Sequence, residues 1–349
     1  MAKRIVFLYT ELAGYITTCF DRLAGEGVEV HVFHYPVNPE APFEFDLKAS
    51  PCNYHLRSDF LHGELQQEIE RINPGAIVCS GWIDKGYVAI CKALKDKFKC
   101  VLALDNQLQQ GIKARLALIR AKLFFKAAFK DAWVPGAPQL KYALKLGFKE
   151  NEIYQGFYTV DVKRWNALKW NTPEGTFPHR FVYVGRYVEF KGVKELWEAF
   201  RQLDTKDWLL HSAGNGELYE DRVLFKGIFH EGFVQPADLD KFVADGGVFI
   251  LPSHKEPWGV VLHEFAAAGY PLICSGNVGA ASAFLKNGEN GFLVEPNEVL
   301  PLKEVMQNII DTSDDQLFKM GQKSKEIASQ VNIEMWLQTA LNFLETKNE

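Results

Sequence analysis

The chain is poor in the features that mark specialised proteins. Its six cysteines (Cys19, Cys52, Cys79, Cys91, Cys100, Cys274) include no Cys-x-x-Cys pair and no zinc-type spacing. That excludes a disulfide framework and a cysteine-held zinc module, and fits reduced, partly buried thiols in a cytoplasmic protein. Long apolar runs are missing too. Val30-His31-Val32-Phe33 and Ala76-Ile77-Val78-Cys79 are strand-sized, whereas a membrane-spanning helix needs about 20 residues. The N-terminus has two basic residues, Lys3 and Arg4, but no apolar leader region. It reads as a first buried strand rather than a signal peptide. No fixed-period repeat or low-complexity segment is present. With a net charge of −5, nucleic acid is not the default partner.

What is present is an ordinary core-forming composition. Of 349 residues, 47 % are apolar and 24 % charged, enough for about two domains at ~100–200 residues each. The charge is uneven. Residues 1–165 hold 22 Lys+Arg against 18 Asp+Glu, so the excess of acid lies in the remainder. Within residues 85–149, 14 basic residues face three acids (Asp96, Asp105, Asp131), a local excess of eleven. Such asymmetry suggests two domains with different partners, one of them anionic.

Short β-rich runs alternate with helical stretches. Strands are expected at residues 5–9, 28–34, 76–79 and 101–104, with helices at 15–24, 61–72 and 88–94 between them. The alternation restarts at Phe181-Val182-Tyr183-Val184 and runs through strands at 208–212, 248–251 and 271–274. This predicts an α/β protein of two Rossmann-like parallel sheets facing a cleft. The expected domains are residues 1–162 and 163–332. A C-terminal helix within 333–349 would pack back on the first domain. Residues 163–179, rich in Trp, Asn and Pro, read as the linker.

Candidate chemistry follows the second set of strands. After Val184 comes Gly185-Arg186-Tyr187-Val188-Glu189-Phe190-Lys191-Gly192, two cations five residues apart around a turn. With helix-start N–H groups they can hold one anion. Gly214-Asn215-Gly216 is a second loop where backbone can approach a ligand. The third segment is Glu256-Pro257-Trp258-Gly259-Val260-Val261-Leu262-His263-Glu264. Its two carboxylates suit hydrogen bonds from vicinal hydroxyls, or the acid/base pair of a hydrolase. Spacing leaves both roles open.

In this order the motifs resemble the family 4 glycosyltransferases, retaining sugar-nucleotide enzymes of the GT-B fold. The residues carrying the resemblance are Gly185-Arg186 with Lys191-Gly192, Phe229 to Val234, Glu256 to Glu264, Ala267 to Ile273, and Asn290-Gly291-Phe292-Leu293-Val294. The resemblance implies that Arg186 and Lys191 neutralise a leaving diphosphate and that Glu264 takes the ribose hydroxyls. It implies that Glu256 contacts the donor sugar, that Pro257, Trp258, Gly259 and Val260 lie at the donor, and that Phe233 and Val234 hold the base. Gly185, Gly214 and Gly14 would approach the donor through their backbone. The departing phosphate would itself take the acceptor's proton, with no metal or other cofactor. Two departures stand out: the first βα loop has only Gly14, and Asp105 or Asn106 stands where many members carry a His. Ala283 stands where an acid is common.

On the acceptor side the expected residues are Trp82, Asp84 and Asn106, with Asp105 as a catalytic candidate that orients an acceptor hydroxyl. Residues 113–130 contain six cations and no acid. Lys122, Lys126 and Lys130 share one helical stripe with Leu118, Phe125 and Phe129 alongside, a pattern suited to an anionic membrane surface. His263 is expected to pack rather than react. The expectation is a metal-independent hexosyltransferase of surface polysaccharide or glycoconjugate synthesis, using a nucleotide-diphosphate sugar (UDP or GDP) and a glycan or lipid-linked acceptor. It would be cytoplasmic or peripheral on the inner face of the membrane, with no nucleic-acid partner. The alternatives are an epimerase or hydrolase on the same fold, and a non-catalytic sugar-nucleotide-binding protein.

Overall fold

The computed structural model describes residues 3–39, 41–61, 63–108 and 112–345, with the side chains of 112–117 outside the description. It divides into two compact units: one of residues 1–38, 43–159 and 332–349, the other of 39–42 and 160–331.

The first unit runs β1 (Arg4–Leu8), α1 (Gly14–Ala24), β2 (Glu29–His34), β3 (Asn53–Leu56), α2 (Glu64–Ile72), β4 (Ala76–Ser80), α3 (Lys85–Leu94), β5 (Lys99–Ala103), α4 (Ile112–Lys126), β6 (Asp131–Val134), α5 (Ala137–Lys145) and β7 (Ile153–Gln155). Its described strands form one parallel sheet in the order β3-β2-β1-β4-β5-β6-β7. Central strands are buried on both faces, so Ile5, Val6, Phe7 and Leu8 are all apolar and fully covered. Each such side chain contributes about 1.5–3 kcal/mol of burial.

The second unit runs α6 (Val162–Ala167), β8 (Arg180–Val184), α7 (Val193–Arg201), β9 (Leu209–Ala213), β10 (Ile228–Gly232), α8 (Pro236–Ala244), β11 (Val248–Leu251), α9 (Val260–Ala267), β12 (Leu272–Ser275), α10 (Ala281–Phe284), β13 (Gly291–Val294), α11 (Val299–Ile310) and α12 (Asp314–Ala328). Its parallel sheet has the order β10-β9-β8-β11-β12-β13. In both sheets the chain reverses direction at one point, between β1 and β4 and between β8 and β11. In open α/β sheets such switch points open a crevice beyond the strands' carboxyl ends.

The last helix, α13 (Ile333–Leu344), belongs to the first unit. Its Trp336 lies over Phe7, ring centroids 6.0 Å apart, and 5.1 Å from Trp133. Residues 163–179, expected as a linker, fall within the second unit, and their aromatic side chains pack there. Trp165 in α6 is buried, and Trp170 sits edge-on to Phe177 and Tyr270 at 5.5 and 5.3 Å. Aromatic side chains here serve the core of the second unit. Edge strands β3 and β7 were not expected from the sequence, because their half-exposed residues lack a continuous apolar run.

Candidate active site

In the second unit, the loop after β8 carries Gly185 and Arg186, and the short turn Glu189–Lys191 leads into α7. The Arg186 guanidinium carbon lies 5.7 Å and Lys191 Nζ 5.9 Å from the Phe190 ring centroid. The two cations therefore flank one ring. Tyr183, wholly buried, donates from its hydroxyl to the Arg186 carbonyl at 2.9 Å and holds the loop. The loop also meets its neighbour backbone to backbone. A Cβ on Gly214 would stand 1.9 Å from the Gly185 carbonyl oxygen, so no side chain fits there. Gly214 N–H in turn donates to Gly232 O at 2.7 Å, which ties the loop after β9 to the β10 end that precedes half-buried Phe233 and Val234.

Helix α7 begins at Gly192, whose φ of +70° places it in the left-handed region; a Cβ there would meet the Pro252 carbonyl at 2.4 Å. Helix α9 begins at Gly259. Neither helix start has a side-chain cap, so the first N–H groups of both are available to an anion. They follow β8 and β11, the strands that adjoin at the switch point.

Between them Lys191 Nζ donates to Glu256 Oε2, and both side chains are only slightly exposed. His254 Nε2 lies 3.2 Å from Glu195 Oε2, and its backbone N–H donates to Phe190 O at 2.9 Å. Pro257 follows Glu256 in the loop, and Val260 is the first residue of α9. Trp258 points elsewhere. Its side chain is buried against Phe284, centroids 6.2 Å apart, because an indole this large is held by the core. Glu264, half-buried in α9, has its carboxyl pushed up to about 7 by desolvation, against which the Arg164 charge pulls down and Asp240 pushes further up. His263, next to it, is fully buried: Nε2–H donates to Ala328 O at 3.0 Å and the ring stacks on Phe284. It packs, as expected.

The first unit gathers a second set. Tyr158 donates from its hydroxyl to Asp105 Oδ2 at 3.0 Å, and Asn106 Nδ2 donates to Asp105 Oδ1 at 3.1 Å. Buried Gln139 donates to the Asp105 backbone carbonyl at 2.8 Å. Burial beside Asp105 raises the Tyr158 and Tyr9 hydroxyls well above their ordinary range. Sequence reasoning missed Tyr158 as Asp105's partner, since 53 residues separate them. Gly14 opens α1, and its carbonyl accepts from Thr17 and Thr18 hydroxyls.

Asp84, expected on the acceptor side, is the N-cap of α3. Its Oδ1 accepts from Gly86 and Tyr87 N–H at 2.6 and 3.1 Å, and its Oδ2 from Arg57 and Tyr35, both at 3.1 Å. Both oxygens are committed to structure. Trp82 packs on Phe125, centroids 4.9 Å apart. With Asn106 it lines a cavity of about 550 Å³ that also touches Arg120, Phe124 and Tyr142.

The lysine stripe is corrected in part. Phe125 and Phe129 face the core. Lys126 pairs with Glu152 at 2.7 Å and lies 4.7 Å over the Phe148 ring, while Lys130 stands 3.9 Å from Asp96. Lys122 is exposed. Lys113 and Arg115 lie outside the described side chains. Among the described residues no group of three or more His, Cys, Asp and Glu is disposed to hold a metal ion, and no helix is long and apolar enough to cross a membrane.

Two Rossmann-like units, the second with glycine-started helices at its switch point, define an α/β class of doubly wound proteins. The fold is that of the GT-B glycosyltransferases: Anabaena HepE in complex with UDP-glucose superposes with a TM-score of 0.73 over 98 % of this chain and 99 % of that one, at 16 % identity. Residues 167–327, nearly all of the second unit, match the family described as Glycosyl transferases group 1. Glycogen synthase of Mycobacterium tuberculosis is 29 % identical over 167 residues, 44 % of this chain and 38 % of the relative. The capsular polysaccharide biosynthesis glycosyltransferase CapM of Staphylococcus aureus is 28 % identical over 137 residues, 37 % and 36 %. The matched stretch thus spans less than half the length of these curated relatives.

Proposed function

We propose that this protein is a retaining, metal-independent hexosyltransferase. It moves a sugar from a UDP- or GDP-sugar to a hydroxyl of a glycan or lipid-linked acceptor in surface polysaccharide or glycoconjugate synthesis. The observation that carries this reading is the Lys191–Glu256 pair, set at a sheet switch point between two uncapped helix starts. A diphosphate entering there meets Lys191, Arg186 and two sets of N–H groups. The donor's sugar hydroxyls can take over Glu256.

The chemistry follows from charge. As the bond between the sugar's anomeric carbon and the diphosphate oxygen breaks, negative charge builds on that oxygen. Arg186 and Lys191 stabilise it most at the transition state, and they supply the positive charge that a metal brings elsewhere. The acceptor oxygen attacks the same face, and its proton passes to the departing phosphate oxygen. The products are a glycoside of unchanged anomeric configuration and a nucleoside diphosphate. Glu264 takes the ribose hydroxyls, Phe233 and Val234 flank the base, and Asp105 with Asn106 orients the acceptor hydroxyl. HepE, solved with UDP-glucose, supports the donor class, and CapM supports the polysaccharide context.

Peripheral attachment to the cytoplasmic face of an anionic membrane belongs to the same reading, through the basic segment that includes Lys122, Lys126 and Lys130.

The deciding experiment incubates the protein with a panel of UDP- and GDP-sugars, with and without a crude lipid and glycan acceptor fraction. Release of nucleoside diphosphate only when acceptor is present, with the donor's anomeric configuration kept in the product by NMR, is the expected result. Release without acceptor, or interconversion of donor sugars, would instead mean a hydrolase or epimerase.

A further inference from the structure

The sequence contains three Asn-Gly steps: Asn215-Gly216, Asn287-Gly288 and Asn290-Gly291. Such a step is chemically labile, because glycine has no side chain to shield its amide nitrogen from the neighbouring carboxamide. Attack of that nitrogen on the carboxamide needs three things at once. The N–H must not be committed to another acceptor, the side-chain carbonyl must lie close to it, and water must reach both. The structure separates the three steps on these counts.

Asn290 is fully buried, and its carboxamide is held at both ends. Its Oδ1 accepts from Lys286 N–H at 2.8 Å, and its Nδ2 donates to Phe284 O and Ser324 Oγ at 2.9 and 3.0 Å. Asn287 is exposed, but Gly288 N–H donates to Gly291 O at 2.8 Å, and Asn287 Oδ1 accepts from Leu293 N–H at 2.8 Å. Attack there must first break two hydrogen bonds. At Asn215, also exposed, Gly216 N–H points instead at Asn215 Oδ1, 2.8 Å away. The attacking nitrogen and the carboxamide it attacks are already in contact. Neighbouring backbone keeps them there. Asn215 O accepts from Tyr187 N–H at 2.8 Å, and Leu218 N–H donates to Tyr187 O at 2.9 Å. A Cβ on Gly216 would stand 2.6 Å from that same Tyr187 oxygen, so the step is held against the loop that carries Arg186.

We propose that Asn215-Gly216 is a self-modification site, at which the chain converts its own asparagine to aspartate or isoaspartate. The Gly216 nitrogen gives its proton to solvent and bonds to Asn215 Cγ. The Cγ–Nδ2 bond breaks, and Nδ2 takes up a proton and leaves as ammonia. Water then opens the resulting five-membered imide at either carbonyl. Opening at one restores an ordinary main chain with aspartate; opening at the other gives isoaspartate, which adds one carbon to the main chain. Either product puts a carboxylate in a loop bonded to the Arg186 loop. Its consequence rests on the transferase reading: the new charge repels the donor's diphosphate, so donor affinity falls as the protein ages.

The test incubates the full chain at mildly alkaline pH and follows each Asn-Gly peptide by mass spectrometry. Asn215 and Asn287 make an internal comparison, since each step is followed by a glutamate, Glu217 and Glu289. In the folded chain the mass gain of an amide turned acid is expected at Asn215 about tenfold faster than at Asn287, the cost of breaking two hydrogen bonds. Asn290 should stay intact. In urea the rates at Asn215 and Asn287 should converge, and Asn215→Gln should abolish the gain in its own peptide. A folded chain in which Asn287 reacts as fast as Asn215, or in which Asn215 does not react while the unfolded chain does, overturns the proposal. For the consequence, aged protein and Asn215→Asp should each bind UDP about tenfold more weakly than fresh protein, by calorimetry. Unchanged UDP affinity in Asn215→Asp overturns that consequence. Failure of fresh protein to bind UDP would overturn the transferase reading instead, while the mass gain alone decides the modification.

Discussion

The hydroxyl of Tyr158 donates to Asp105 Oδ2 at 3.0 Å, fixing a carboxylate that Asn106 holds from the other oxygen. In the proposed reaction this carboxylate orients the acceptor hydroxyl. Asp105→Ala is expected to lower kcat by about 10²-fold or more, the usual worth of a positioned acid/base group. Tyr158→Phe should cost less than about tenfold, the worth of one hydrogen bond, with KM for the donor unchanged. Steady-state kinetics on both variants checks this; an Asp105→Ala enzyme with normal kcat removes Asp105 from the reaction.

Arg186→Ala and Lys191→Ala should each lose about 10²-fold in kcat, as expected when a donor to developing charge is removed. Lys191→Ala also removes one charged partner of the poorly exposed Glu256 carboxylate, and its stability should fall by about 1.5 kcal/mol. The double variant Lys191→Met with Glu256→Gln should regain most of that stability while staying inactive. Denaturant titration and turnover separate the two effects.

Glu264 makes a pH prediction. Burial raises its carboxyl from 4.5 in the open chain to about 7, so the folded state binds a proton that the unfolded state has released. Stability from this group is therefore full below about pH 4.5 and is lost as pH rises to about 7. Glu264→Gln should flatten that slope. Ribose hydroxyls donate to the ionised form and favour it, so UDP binding near pH 6 should expel a proton. Calorimetry in two buffers of different ionisation enthalpy reads this directly, and zero net release at pH 6 would remove Glu264 from the ribose.

Asp84→Ala should act on stability alone. Losing an N-cap that also holds Arg57 and Tyr35 is expected to cost about 2 kcal/mol. Thermal melting should fall while kcat at saturating donor and acceptor remains at its wild-type value.

Much of the architecture is legible in the residues because parallel strands buried on both faces must be apolar throughout. Ile5 to Leu8, Ala76 to Cys79 and Val248 to Leu251 announce themselves this way. Edge strands β3 and β7 do not, since one side of each meets solvent and their sequences mix polar with apolar residues. The donor-side candidates are legible for a related reason. Arg186 with Lys191, and Glu256 with Glu264, each follow a strand within a short stretch, so each pair is legible locally. The meeting of Lys191 with Glu256, 65 residues on, is not. Tyr158 and Asp105 carry no such signal, because no local rule relates residues on separate loops.

Helix α4 shows where pattern stops. Apolar and basic residues occur on every side of it, so its sequence allows a lysine stripe flanked by Phe125 and Phe129 as readily as any other face. Packing decided otherwise: Phe125 and Phe129 went to the core, Lys126 went to Glu152 and Phe148, and Ile119, Leu123 and Phe124 were left outside. By itself the sequence determined the two-sheet α/β class and the order of its glycine-bearing loops, because periodicity and glycine chemistry act over a few residues. Only the tertiary structure decided that Asp84 is a cap, that Trp258 is core, and that Arg120 faces a cavity. Those outcomes depend on which side chains distant segments bring within hydrogen-bond or van der Waals reach.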